Sequence, residues 1–132
     1  MARLGLKDAF ARYGAKPRNV QWSVSAWAPD GALVVSLWAH HCRKGPQGSI
    51  EYADSVARWS GPGNAEFRDN VAKAFRAKSP VRLVVATTEN TARVETGADA
   101  SKVKKDFAVR DDLIGEVVAY DGDKYVFRFS RA

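Results

Sequence analysis

Cysteine is nearly absent: Cys42 is the one thiol in 132 residues. A lone thiol excludes an internal disulfide and fits a reducing compartment. Long apolar runs are missing too. No stretch approaches the ~20 residues of a membrane span, and the start, MARLGLKDAF, lacks the apolar core of a secretion signal. The expectation is a cytoplasmic protein without a membrane partner. Histidine is as scarce, with two residues placed beside the cysteine as His40-His41-Cys42. Three adjacent residues fall short of the four ligands of a structural zinc site, and neighbours on an extended strand point to opposite sides. Neither a metal nor another cofactor is expected. Gly-rich phosphate loops of the P-loop or dinucleotide type do not occur. Repeats, low-complexity tracts and linkers are also missing, so residues 1–132 read as a single domain.

What is abundant is positive charge and aromatic area. The formal net charge is +6, and the first fifty residues hold seven Lys and Arg against Asp8 and Asp30. Clustered cations attract phosphates over a distance, so this imbalance points to a polyanionic partner. Apolar residues make up 45% of the chain, including four Trp, four Tyr and six Phe, enough for a packed interior.

Leu6, Phe10 and Tyr13 share one face of a short helix, with Gly14 placed to end it. In VQWSVSAWAPDGALVVSLWA, Val20 to Trp38 alternate around the turn Pro29-Asp30-Gly31, which predicts a β-hairpin with Trp27 pointing opposite to Trp22. A strand is expected over residues 49–53. Asn64 suits the N-cap of a helix over residues 65–78, with Phe67, Val71, Ala74 and Phe75 inward and Arg68, Lys73 and Arg76 outward. Val81 to Thr88 form a continuous apolar run, the pattern of a central strand covered on both faces. A polar segment follows and leads to a short helix capped by Asp99, with Val103 and Phe107 one turn apart. In GEVVAYDGDKYVFRF, Tyr125, Phe127 and Phe129 alternate after an Asp-Gly turn, which marks a second hairpin. Together these predict an α+β fold: a strongly curved mixed sheet or small, partly open barrel, with two β-hairpins and two or three helices.

Three function classes compete. In the leading one, Trp27, Trp38 and Trp59 offer faces on which bases stack, and Arg18, Arg43 and Lys44, joined by Arg68 and Arg76, meet phosphates. His40 sits on the same rim, and Asn64 opens a helix whose free N–H groups suit an anion. This set describes a binding protein for DNA or RNA, including a reader of a modified or flipped base, with no catalytic residue. In the second, Cys42 with His40 or His41 acts on an anionic metabolite. Such an enzyme needs a base within reach of the thiol and a stabiliser for developing charge, and no stabiliser is visible nearby. In the third, exposed tryptophans form a protein interface or a homo-oligomer contact.

The element pattern, with VQWSVSAW, PVRLVVAT and GEVVAYDGDKYVFRF at its strands, resembles the PUA-like superfamily of EVE, ASCH and YTH domains. That resemblance implies binding of RNA or of modified bases in DNA, in some members beside a restriction nuclease. It rests on the order of elements and assigns no site residue.

Overall fold

The computed structural model describes residues 5–20, 22–97 and 103–132. Helix α1 (Leu6–Ala11) precedes a hairpin of β1 (Ser25–Trp27) and β2 (Leu33–Trp38). A single 3-10 turn, Ala39–His41, leads to β3 (Cys42–Lys44) and β4 (Ile50–Ser55). Helix α2 (Pro62–Ala77) and β5 (Val81–Thr87) follow, then α3 (Thr91–Glu95), β6 (Asp106–Val109), β7 (Leu113–Tyr120) and β8 (Lys124–Arg131).

Among the described residues one sheet takes eight strands in the order β1-β2-β5-β7-β8-β4-β3, with β6 also paired to β5. The sheet is mostly antiparallel and open, since no described strand pairs on the outer edges of β1 and β3. The exception is β2, which runs parallel to β5 from Leu33 opposite Val81 to Trp38 opposite Ala86. Strands paired this way cannot be joined by a tight turn. The crossover between them therefore carries β3, β4 and α2.

Strand β5 is central, as its apolar run predicts, and both of its faces are covered. On one face Val81 and Leu83 join Leu33, Val35 and Leu37 of β2, Phe67, Val71 and Ala74 of α2, and Tyr125, Phe127 and Phe129 of β8 in the main core. Strands from both halves of the sheet order thus feed one interior, which requires the expected curvature. On the other face Val34 and Val84 pack with Ala9 and Phe10 of α1. The Tyr13 hydroxyl donates to the Leu83 carbonyl at 2.8 Å, and its ring lies under the Arg82 guanidinium, 5.0 Å from the centroid. Burial pushes the Tyr13 hydroxyl up to about 12. The main core is largely aromatic: Phe67 meets Tyr125 at 5.3 Å and Phe127 at 6.2 Å, and Tyr52 meets Phe129 edge-on at 5.9 Å.

Four local expectations are corrected. The first hairpin is shorter than its alternation predicts: Trp22 and Ser23 sit in a turn in which both N–H groups donate to the Asn19 carbonyl, and pairing begins at Ser25. Helix α2 starts at Pro62 behind Gly61, so Asn64 is not its cap; Asn64 lies buried inside the helix and donates to the Val56 carbonyl at 2.8 Å. Phe75 falls one step around from the Phe67-Val71-Ala74 stripe and is 38% exposed, edge-on to Tyr120. The expected helix ending near Phe107 is replaced by β6, where Phe107 pairs with Ala86, while a helix forms earlier, capped by Asn90. Asp99 lies outside the described residues.

These positions have different energetic weight. Phe127→Ala should cost about 3–5 kcal/mol, as expected for a fully buried ring, whereas Phe75→Ala should cost about 1 kcal/mol or less. Chemical denaturation of the two variants measures both values.

Candidate functional site

A cavity of about 1010 Å³ opens at the carboxyl ends of the parallel strands β2 and β5. Its walls come from the elements that the crossover brings back to that end. Ser36, Leu37 and Trp38 end β2, and Ala86 lies beside them on β5. Asp54 is supplied by β4, Tyr125 by the start of β8, and residues 58–63 by the segment leading into α2. Trp22 closes the cavity from the turn before β1.

Three of the four tryptophans therefore share one concave surface: Trp22, Trp38 and Trp59. Each is held for a local reason. Trp38 is the last residue of β2 and turns with the chain toward His40, with ring centroids 6.2 Å apart. Trp59 packs on Phe67 at 6.1 Å, so the core fixes its ring. Trp22 approaches α2 so closely that a Cβ on Gly63 would strike its carbonyl oxygen. Only glycine permits that approach. The Trp59 indole N–H is buried with no hydrogen-bond partner among the described residues. An unmet buried donor costs on the order of 1–3 kcal/mol.

One side of the cavity is polar. Arg58 grips Asp54 through Nε at 2.8 and 3.0 Å and through Nη2 at 2.7 Å. The same guanidinium donates to the Val94 carbonyl, tying α3 to β4. Gly97 follows at φ +78°, with no room for a side chain against the Arg58 carbonyl. The Tyr125 hydroxyl donates to Asp54, and burial together with the Asp54 charge raises its pKa well above the tyrosine range. His41 also faces Asp54, with Nδ1 3.6 Å from Oδ2. Lys104 and Lys105 add cations to the lining.

The histidines are arranged differently from the expectation. The 3-10 turn Ala39–His41 replaces extended strand, so adjacent side chains are not thrown to opposite faces. The two rings stand edge-on, 4.3 Å apart, and both Nε2 atoms reach the same Glu95 oxygen, at 3.1 Å from His40 and 2.8 Å from His41. Partial burial opposes ionisation of Glu95, but the hydrogen bonds from His41 and His40 outweigh it and hold the carboxyl below its ordinary range. The Cys42–His40 pairing required for a thiol nucleophile does not form. Cys42 begins β3 and sits opposite Tyr52 of β4 in the strand register.

The chain matches no family model, no curated protein and no solved structure. The chemistry therefore has to be read from the residues themselves.

Of the expected site residues, Trp38 and Trp59 meet in the cavity, and His40 lies against Trp38. Trp27 does not join them. It lines a separate, shallower groove with Arg18, and its Nε1 donates to Asn70 Oδ1 at 2.9 Å. Arg43 is held by Glu51, whose carboxyl is kept below its ordinary range by hydrogen bonds from Arg128 and then Arg43. Lys44 lies exposed on the edge strand β3, and Arg68 and Arg76 are exposed on α2. None of these cations lines the cavity. Sequence reasoning missed Trp22, Asp54, Arg58 and the lysines. The pair Asp54 and Arg58 carried one usable signal, opposite charges four residues apart.

The close approach at Gly63 generates a direct expectation. Gly63→Ala should destabilise the protein by about 1–3 kcal/mol through overpacking and shift the tryptophan emission as Trp22 is displaced. Denaturation followed by fluorescence reports both effects.

Proposed function

We propose that the chain binds nucleic acid and that the cavity receives a base turned out of its strand. The observation that carries this reading is the convergence of Trp22, Trp38 and Trp59 on one cavity with Lys104 and Lys105 in its lining. A flat heteroaromatic ring gains on the order of 1–3 kcal/mol from each indole on which it stacks. A ring acceptor would also satisfy the buried Trp59 N–H. Beside it, Asp54 and Arg58 place an acceptor and a donor at the polar wall, suited to the hydrogen-bonding edge of a base. Lys104 and Lys105 meet the backbone phosphates of the flanking nucleotides, and the net charge of +6 supplies long-range attraction.

One further feature supports this reading. The volume of about 1010 Å³ exceeds the needs of one base, leaving room for a modified base or its sugar. The resemblance of the sequence to PUA-like domains, in which recognition of RNA or modified DNA is the implied activity, belongs to the same proposal. A cytoplasmic setting belongs to the same proposal and suits the exposed thiol of Cys42.

Fluorescence anisotropy with labelled single-stranded DNA and RNA, modified and unmodified, tests the proposal. Trp38→Ala and Trp59→Ala should each weaken binding by about 5- to 150-fold, while Trp27→Ala stays within about twofold. Lys104→Ala should lower the salt slope by about one. No binding at low salt, or an affinity indifferent to salt, would overturn the reading.

A further inference from the structure

The sequence offers three Cys and His residues in a row and no obvious fourth ligand. Folding changes that set. The turn Ala39–His41 aims two imidazoles the same way, and α3 brings a carboxylate to them across more than fifty residues of chain. One ligand atom from each of His40, His41 and Glu95 lies within 4.8 Å of the other two. Among the described residues this is the one group of three or more His, Cys, Asp or Glu side chains assembled so closely.

The surroundings are those of an organised site. A metal-bound imidazole commonly has a carboxylate behind its other nitrogen, which fixes the ring and the tautomer. Asp54 stands in that position, 3.6 Å from His41 Nδ1, and is itself held by Arg58 and Tyr125. With an ion bound, a proton on Nδ1 facing Asp54 would free the His41 Nε2 lone pair for the metal. Arg58 also fixes the other side of the cluster, because it donates to the carbonyl of Val94, the residue before Glu95. Trp38 flanks His40.

We propose that His40, His41 and Glu95 bind a divalent transition metal. Two imidazoles and one carboxylate suit zinc, or cobalt in its place, and leave at least one coordination position open. The present separations, 2.8 and 3.1 Å between nitrogen and oxygen, are hydrogen-bond lengths. An ion at about 2.0–2.2 Å from each atom replaces those bonds and requires only side-chain adjustment. His41 belongs to the cavity wall, so the ion would sit at the cavity's edge. Cys42 lies outside this cluster. The metal site stands apart from the base-binding reading, because it requires no nucleic acid.

Calorimetric titration of the full chain with Zn²⁺, together with the visible spectrum of the Co²⁺ form, tests the assignment. The parent should bind one ion per chain, rise in melting temperature with Zn²⁺, and give the intense visible bands of a low-symmetry Co²⁺ site. Cys42→Ser should do the same. His41→Ala and Glu95→Gln should each lose at least about tenfold in affinity, and Asp54→Asn about tenfold through the orientation of His41. Glu95 is exposed, so Glu95→Gln should keep the parent's melting temperature without metal, which separates lost binding from lost folding. Absence of one-to-one binding in the parent would overturn the proposal. So would unchanged affinity in Glu95→Gln and His41→Ala, or binding that disappears only in Cys42→Ser.

Discussion

The parallel pairing of β2 with β5 is the constraint on which the rest of the molecule depends. Its ladder runs from Leu33 and Val81 to Trp38 and Ala86, and the chain must leave one end of it and return to the other. The outgoing leg begins with the turn at Ala39–His41 and crosses to β3 and β4, which lie at the far end of the sheet order. The returning leg passes Arg58 and Trp59 into α2. Because both legs pass the carboxyl end of the ladder, their polar and aromatic residues collect there. The cavity is a consequence of this route.

The same route explains how one molecule combines an apolar interior with a partly polar opening. Phe67 and Trp59 of the returning leg continue the aromatic core of Tyr125 and Phe127 outward. Arg58 and Asp54 then form a largely buried pair at the boundary. Such a pair adds little net stability, but removing one partner leaves the other charge stranded, so neither member can be lost alone without cost. Here the pair links β4, α3, Tyr125 and His41, and it fixes the positions from which both the cavity and the histidine cluster are built.

Much of the fold was legible because its signals are local. The Asp-Gly turn and the alternation of Tyr125, Phe127 and Phe129 defined the last hairpin, and the unbroken run at Val81 to Thr88 marked the strand covered on both faces. Phe75 misled because periodicity gives the direction of a helical stripe but not its width. The site was less legible, since its members converge through pairing between distant segments. Trp38 and Trp59 stood out by residue type alone. Trp22 was hidden by an alternation that suggested strand where the chain turns at Asn19. Which cations line the cavity was not legible, because composition locates charge along the chain, not around a cavity. The histidines were misjudged because extended geometry was assumed where a 3-10 turn forms.

The proposal that the cavity receives a base rests on three indoles lining it while the fourth lies elsewhere. The nitrogen-proton correlation spectrum of the four tryptophan side chains tests it most directly, recorded while a saturating oligonucleotide is added. The indole signals of Trp22, Trp38 and Trp59 should move, and that of Trp27, bonded to Asn70, should stay in place. A saturated complex in which Trp27 alone shifts, or in which no indole shifts, would contradict it.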